Sequence, residues 1–343
     1  MRLNLKRSLT QALKFIAFLI AGIALLWLAF RKVNFSELII RLSEARYEWL
    51  ILSIIFASLA YVSRARRWVL LVNPLGYKPG FRNTFYAIMI GYLANIALPR
   101  LGEVIRCIAL GRKEKIPASQ LFGTVVIERT VDVISCLLIM IVMLLVKGSM
   151  LGSFLMENVY NPLREKIILL FGSTLVFWIA LLVLMFVSLY LIYRFRNNLK
   201  KIRFFDKLFN VLKGIFTGLK TIMTLERKKE FLFHTLFIWT NYAIMTWVVF
   251  FSLKSTSSLD FADGIFILIL GSISTLVPVQ GGIGAFHFII SRGLNVIYGI
   301  SLEDGLAYAV LSHESQLIFS AILGFIAFYA LVKKDKIKLT RYD

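Results

Sequence analysis

Leu98-Pro99-Arg100-Leu101-Gly102-Glu103 interrupts an apolar run that begins at Thr84, and Val104-Ile105-Arg106-Cys107 resumes it. The pattern returns far along the chain, where apolar Phe261–Val277 ends in Pro278-Val279-Gln280-Gly281-Gly282-Ile283-Gly284 and continues as Ala285-Phe286-His287. Pro99 aligns with Pro278, and Gly102 with Gly281. Proline and clustered glycine break a helix. Inside a bilayer such a break strands backbone N–H and C=O groups, which is tolerated only where protein or a wet cavity surrounds it. The pieces flanking each break are short, Leu101–Leu110 in particular, so each interruption predicts a re-entrant hairpin that enters and leaves on one side. The same residues also suit tight packing of unbroken membrane helices, where proline and glycine are frequent. Two matched copies, each followed by a long helix with interior acids (Glu128 and Glu314), favour the hairpins.

The membrane setting follows from composition. The chain is 59% hydrophobic, against roughly 45–50% in ordinary soluble domains. A hydrocarbon core of ~30 Å takes about 20 apolar residues, and stretches of that kind recur at Gln11–Phe30, Trp49–Val72, Leu121–Val146, Ile167–Tyr193, Phe231–Leu253, Phe261–Val277 and Leu306–Val332. The first is a retained helix rather than a cleaved signal, because Phe30 runs straight into Arg31-Lys32 with no small-x-small pattern. The fold class expected is all-α integral membrane, with six crossings starting near residues 11, 49, 119, 166, 231 and 306 and two re-entrant hairpins. No Pro/Gly/Ser linker divides the chain, so one membrane domain covers 1–343, with repeat units at 83–146 and 261–332. Cys107 and Cys136 both fall in apolar segments, which excludes a disulfide framework.

A net charge of +21 could suggest nucleic acid, but the charges alternate by loop as the positive-inside rule requires. Basic residues crowd the N-terminus, a second loop (Arg64, Arg66, Arg67, Lys78, Arg82), a third (Arg112, Lys113, Lys115), the segment 194–229 and the tail after Val332. The intervening loops are poor in them. Both termini are therefore expected in the cytoplasm, in a plasma membrane of the bacterial inner-membrane kind. The first hairpin then dips from the cytoplasmic side, flanked by Arg82 and Arg112, and the second from outside, flanked by Asp260, Asp263, Glu303 and Asp304. An odd number of crossings separates them, so the two units are inverted, a transporter design. The segment 194–229 reads as an amphipathic stretch, with Phe204, Leu208, Val211, Leu212, Ile215 and Leu219 at helical spacing and Lys207, Lys213 and Lys220 between them.

Outside the loops, Arg100, Arg106, Arg129 and Arg292 and the acids Glu103, Glu128, Asp132 and Glu314 remain at membrane depth. A charge at the bilayer centre costs ~2.5–3.5 kcal/mol on insertion scales, so these should face an interior and pair. Glu103 and Arg106 are i,i+3 and share a helix face, while Glu128 and Asp132 are i,i+4 and form a stripe that Arg100 or Arg106 could neutralise. His313 and Gln316 are i,i+3, Glu314 points to a neighbouring face, and His287 follows the second glycine cluster within reach of them. One reading is a polar cavity whose arginines bind a phosphate headgroup, with acids and histidines balancing charge or carrying protons. The other is a set of ion pairs that only fixes helix register. Catalysis finds no support: there is no P-loop and no G-x-S-x-G, and the consecutive Ser312-His313-Glu314 cannot converge as a triad. No H-E-x-x-H spacing supports a metal at His287, His313 and Glu314, so no metal and no cofactor are expected.

Three runs carry a family resemblance: Asn95-Ile-Ala-Leu-Pro-Arg-Leu-Gly-Glu-Val-Ile-Arg106, Glu128-Arg-Thr-Val-Asp132, and Val277-Pro-Val-Gln-Gly-Gly-Ile-Gly284. Together they resemble the flippase-like membrane domain of lysylphosphatidylglycerol synthases, over roughly residues 10–335. The resemblance implies an inner-membrane protein that translocates or binds phospholipids or related amphiphiles. Pro99, Arg100, Gly102, Glu103 and Arg106 match its first motif, Glu128, Arg129 and Asp132 the second, and Pro278, Gly281, Gly282 and Gly284 the third. The chain departs at Gln280, often proline in the family, and at His287, often an acid. The soluble aminoacyl-transfer domain is missing before the chain ends at Asp343, so lysine transfer is not expected.

The expectation is a lipid flippase or scramblase-like transporter, not an enzyme, moving an anionic phospholipid or a polyprenyl-phosphate-linked lipid. The candidate contacts are Arg100, Glu103, Arg106, Glu128, Arg129, Asp132, Gln280, His287, His313 and Glu314. Its partners would be membrane lipids, with functional coupling to a lipid-modifying enzyme and no nucleic acid. The alternatives are a membrane-embedded transferase acting on a lipid-linked sugar, and a scaffold that presents lipid without moving it.

Overall fold

The computed structural model of the chain describes residues 19–31, 33–99, 101–148 and 225–339, together with Ile16 and scattered positions between 165 and 187, with side chains as far as Leu331. Arg100 lies outside these residues, as do most of the expected crossing at Ile167–Tyr193 and of the amphipathic segment 194–229. Among the described residues every regular element is helical: α1 Leu19–Phe30, α2 Phe35–Ser43, α3 Glu48–Val72, α4 Phe81–Ala97, α5 Gly102–Glu114, α6 Ala118–Val146, α7 Lys228–Phe250, α8 Phe261–Ser274, α9 Ala285–Tyr298 and α10 Leu302–Leu339.

α6 shows why the fold needs a bilayer. Its 29 residues, opened by Pro117, rise about 43 Å, enough to cross a ~30 Å core. Beyond Asp132 it carries no charged residue and is apolar all round, yet only 17% of its most apolar stretch is buried within the protein. Leu137, Leu138, Ile141 and Leu145 stand exposed. A helix that is apolar all round must be buried somewhere, and here lipid is what remains. Three other helices are as well suited to cross, Glu48–Leu75, Lys228–Phe250 and Leu302–Leu331. Leu19–Phe30 and Phe35–Ser43 make a fifth if the pair, bent by 88°, counts as one span. The chain is a multi-pass, all-helical membrane protein. The described residues hold four or five such spans where the sequence reading expects six.

α3 and α7 form the central antiparallel pair. Ser53 Oγ donates to the Met245 carbonyl at 3.0 Å near one end, Ser63 Oγ meets His234 Nδ1 at 2.8 Å, and Arg66 Nε donates to Glu230 at 3.1 Å near the other. Ala57, Ala60 and Ala65 keep α3 thin and are fully buried, as suits close approach of membrane helices. α10 packs beside this pair, its buried Tyr308 hydroxyl donating to the Thr246 carbonyl at 2.9 Å.

Both interrupted segments fold back as helical hairpins. At the mouth of the first, the Gly80 N–H and Asn83 Nδ2 donate to Glu114 Oε1 at 3.1 and 2.6 Å. Its tip is set by Pro99, which drives Leu98 into extended backbone (φ −138°, ψ 124°). α5, read in the sequence as ending at Leu110, continues to Glu114. At the mouth of the second hairpin the Tyr298 hydroxyl donates to Asp263 Oδ1 at 3.0 Å. Here Gly281, Gly282 and Gly284 all take positive φ, between 58° and 85°. The first hairpin opens where α7 begins and where Lys113 Nζ reaches the Leu331 carbonyl of α10. The second opens at the opposite end, where α6 finishes at Lys147 and Arg41 pairs with Asp304 at the start of α10.

Lys147 ties α6 to the second mouth, 2.9 Å from Asp260 Oδ2 and 3.0 Å from Asp263 Oδ1. Its hydrogen bond to Asp260 raises the Lys147 ammonium above the usual lysine value, against a smaller opposing pull from burial. Partial burial pushes the Asp260 carboxyl up, but the Asp263 N–H and Lys147 outweigh it and hold it below the usual carboxylate range. The stabilisation from Asp260 is thus present above about pH 4 and lost as pH falls, while that from Lys147 is present below about pH 10 and lost as pH rises. Asp260 also caps α8 through the Asp263 N–H at 2.8 Å. Asp260→Asn should keep the cap and lose about 0–1 kcal/mol, whereas Asp260→Ala should lose about 1 kcal/mol more. Thermal unfolding of the nanodisc-held protein at pH 7 and pH 3 checks both, and the Asp260→Asn deficit should be smaller at pH 3 than at pH 7.

Candidate functional site

Between α3, α5, α6 and α7 lies a buried cluster of guanidinium and carboxylate groups. Glu128 and Asp132, one turn apart on α6, form the acidic stripe the spacing requires. Glu128 is fully buried. Arg64 of α3 donates from Nε to Glu128 Oε1 at 2.8 Å, from Nη2 to Asp132 Oδ2 at 3.0 Å, and from Nη1 to the Tyr242 hydroxyl of α7 at 3.1 Å. Arg67, one turn further on, donates from Nη2 to Asp132 Oδ1 at 2.7 Å and from Nη1 to Thr235 Oγ1 at 3.4 Å. Arg106 of α5 sits over the Trp68 ring at 4.7 Å, with Nη1 3.1 Å from Glu128 Oε2 in an ion-pair contact off the line of a hydrogen bond. Trp68 is itself fixed by Nε1 donating to Thr124 Oγ1 at 2.8 Å.

Arg64 and Arg67 correct the sequence reading, which places them in a cytoplasmic loop. They lie inside α3, 5% and 0% exposed, about 12 Å and 8 Å along the axis from its C-terminal end at Val72. The signal was present: two arginines at i,i+3 inside the apolar run Trp49–Val72 share a face, which a loop would not require. Their presence also upsets the balance of four cations against four acids. In the cluster, Arg64, Arg67, Arg106 and Arg129 stand against Glu103, Glu128 and Asp132, one positive charge in excess. Glu103 and Arg106 are not partners despite their shared face. Glu103 Oε1 pairs with Arg129 Nη2 at 3.1 Å, and Arg106 serves Glu128. Arg292 lies apart, its guanidinium 5.9 Å from the Phe288 ring.

The cluster borders the first break. Asn95 Oδ1 accepts from the Gly102 N–H at 2.7 Å, capping α5 from across the hairpin. Gly91, Tyr92, Asn95, Gly102, Arg106 and Arg129 line a cavity of about 10 Å³, room for about one water. The cluster's buried atoms without a hydrogen-bond partner are the donors Arg67 Nε, Arg106 Nε and Nη2 and Arg129 Nε and the acceptors Glu103 Oε2 and Glu128 Oε2, and those of Arg106, Arg129 and Glu103 fall in this region. Buried polar groups normally have partners. Unpaired guanidinium donors beside a helix N-terminus therefore mark a place suited to an anion.

The second break gathers a smaller group. His313 Nε2 lies 2.9 Å from the Gly281 carbonyl and its Nδ1 3.0 Å from Glu314 Oε1. His287, 2% exposed, places Nε2 3.4 Å from the same carboxylate oxygen. Glu314 therefore turns toward His313, whereas its position on the helix assigns it to a neighbouring face. Gln280 lies in the turn with its Nε2 buried and unpartnered, so it does not join them. Gln316 instead donates to Ser53 of α3 at 3.0 Å. Of the candidate residues, Glu103, Arg106, Glu128, Arg129 and Asp132 converge at the first break and His287, His313 and Glu314 at the second. Among the described residues no hydrogen bond or ion pair joins the two groups, although α4 packs against the turn Gln280–Gly282.

Comparison with known proteins gives two matches. The family model described as the lysylphosphatidylglycerol synthase TM region matches residues 14–324. A UPF0104 membrane protein of Methanocaldococcus jannaschii is 32% identical over 103 residues, which cover 29% of this chain and 31% of that protein. The match therefore spans about a third of that relative's length. No solved structure matches the chain.

Proposed function

The chain belongs to the family of the lysylphosphatidylglycerol synthase transmembrane region, and from that premise we propose that it is a transporter, not an enzyme, that moves an anionic lipid between leaflets. The observation that carries the reading is the excess guanidinium at the first break, where Arg106 Nε and Nη2 and Arg129 Nε are buried without partners. A phosphate-bearing headgroup would give these donors acceptors and balance the one positive charge in excess. Arg129, with 42% of its side chain exposed, would meet it first, and Arg106, 4% exposed, would hold it deeper.

Hairpin geometry supports a translocation path. α4 and α5, of 17 and 13 residues, rise about 25 and 20 Å, and α8 and α9, of 14 each, about 21 Å. All fall short of a ~30 Å core, as re-entrant hairpins should. They open at opposite ends of the bundle, the relation expected of inverted units in a transporter. The mouth of the first carries Lys78, Arg82, Arg112, Lys113 and Lys115, which we assign to the cytoplasm. The mouth of the second carries Asp260, Asp263, Glu303 and Asp304. With room for about one water, the first site as described is closed, and a headgroup enters as the hairpin and α6 part.

Binding of short-chain phosphatidylglycerol to the detergent-purified protein tests the reading. Arg129→Ala should weaken it about tenfold, the equivalent of one charge-assisted hydrogen bond, with an unchanged unfolding temperature. Zwitterionic phosphatidylcholine should bind more weakly and be indifferent to the substitution. Equal affinity for both lipids, or no effect of Arg129→Ala, refutes the site.

A further inference from the structure

The donors and acceptors at the second break do not close with neutral histidines beside an ionised Glu314. His287 accepts the Gly284 N–H at Nδ1, 3.4 Å, which leaves its proton to Nε2, 3.4 Å from Glu314 Oε1 in an ion-pair contact. Its ring is satisfied in the neutral form. His313 differs, because both of its nitrogens face acceptors: Nε2 the Gly281 carbonyl at 2.9 Å, and Nδ1 Glu314 Oε1 at 3.0 Å. A neutral imidazole has one N–H and one lone pair. Whichever nitrogen lost its proton would set a lone pair against an oxygen lone pair.

We propose that His313 is a proton-binding site that latches the second broken helix to α10, and that the proton is the ion coupled to lipid movement. With both nitrogens protonated, the ring donates to the Gly281 carbonyl of the turn and to the Glu314 carboxylate. Loss of the proton to water makes one of these contacts repulsive and frees the turn. The turn holds three glycines at positive φ, and Gly284 packs closely against the backbone of α1 at Gly22 and Leu26, so a change at the latch is felt directly by α1. Among the described residues, the titratable side chains that meet His313 are Glu314 of its own helix and His287 of α9. The turn contributes the uncharged Gln280, and α1 has no charged residue between Leu19 and Phe30. The charge on α4, Arg82, sits on Tyr86 at the far end. On α8, Asp263 is held by Lys147 at the mouth. On α3, Arg64 and Arg67 are engaged by Glu128 and Asp132.

A divalent metal at His287, His313 and Glu314 is the rival occupant, since their ligand atoms lie within 4.8 Å of one another. A metal on His287 Nε2 would move the proton to Nδ1, against the Gly284 N–H. The proton leaves no such conflict.

The role of the proton in coupling rests on the transport reading above, but the site itself does not, and the experiment reads it without lipid transport. The chain has three histidines, so the ¹⁵N-histidine-labelled full-length protein in nanodiscs gives three ring signals, and His313→Gln identifies the one that matters. At pH 7 that ring should show two protonated nitrogens and His287 a single Nε2–H, with EDTA and added zinc changing neither. On raising the pH, loss of the His313 proton should coincide with an about tenfold fall in hydrogen-exchange protection of the 279–284 amides, corrected for intrinsic rate. That dependence should be absent in His313→Gln. Should this variant not fold, Glu314→Gln provides the check, and its His313 ring should be neutral at pH 7. A wild-type ring that is neutral while the turn is protected, a signal that responds to EDTA or zinc, or an imidazolium that survives Glu314→Gln would each overturn the proposal.

Discussion

Replacing Glu128 by alanine is expected to destabilise the folded protein by about 3–5 kcal/mol and to lower its expression yield. Glu128 is fully buried, 2.8 Å from Arg64, 3.1 Å from Arg106 and 3.5 Å from Arg67. Its loss leaves three guanidinium groups at depth with Asp132 as their neighbouring acid. Removing one partner of a buried ion pair costs about 3–5 kcal/mol, a large share of the roughly 5–15 kcal/mol that holds a typical domain. Glu128→Gln keeps the shape and one acceptor and should cost less, about 2–3 kcal/mol. Asp132→Asn, with 17% of the aspartate side chain exposed to solvent or lipid, should cost least. Thermal unfolding in nanodiscs, read beside expression yield, checks the order. An alanine variant as stable as the wild type would refute the account of the cluster.

Gly102→Ala is the second large effect. A methyl group there would overlap the Gly91 carbonyl oxygen and lie 2.6 Å from the Asn95 side chain. The first obstacle is helical backbone and cannot rotate away. The second is the group that caps Gly102. The hairpin can accept the methyl only by parting α4 from α5, which also breaks the cap and shifts Arg106, so about 3 kcal/mol or more is expected. Gly123 on α6 is the control, because a Cβ there meets nothing within 4 Å. Gly123→Ala should be neutral or stabilising by up to about 1 kcal/mol. Equal stability of the two alanine variants would contradict the close packing of the hairpin.

How far the sequence discloses this molecule depends on the kind of signal. Crossings such as α6 are legible because their length and apolarity answer to the bilayer alone. Both breaks are legible because Pro99 and the glycines near Gly281 act locally, through φ and a missing N–H. The polar stripe of Glu128 and Asp132 is legible from helical spacing. Its partners are not, since which arginine reaches it depends on how α3, α5 and α7 pack around α6. A count of charges by loop places Arg64 and Arg67 at the surface, because it assigns arginine to water by default, whereas Glu128, Asp132, Tyr242 and Thr235 satisfy them at depth. The His313–Glu314 contact was likewise obscured, because consecutive helical residues do not normally face one another, and the shared partner His287 lies on another helix.

The most direct test of the central claim is translocation in proteoliposomes carrying labelled phosphatidylglycerol in one set and labelled phosphatidylcholine in another, with wild type and Arg129→Ala at matched insertion. The account predicts that wild type moves phosphatidylglycerol in preference, and that Arg129→Ala slows it about tenfold while leaving the phosphatidylcholine rate unchanged. Phosphatidylglycerol that binds but stays on its own leaflet, or a rate indifferent to Arg129, would contradict it and leave a lipid-presenting scaffold as the better description.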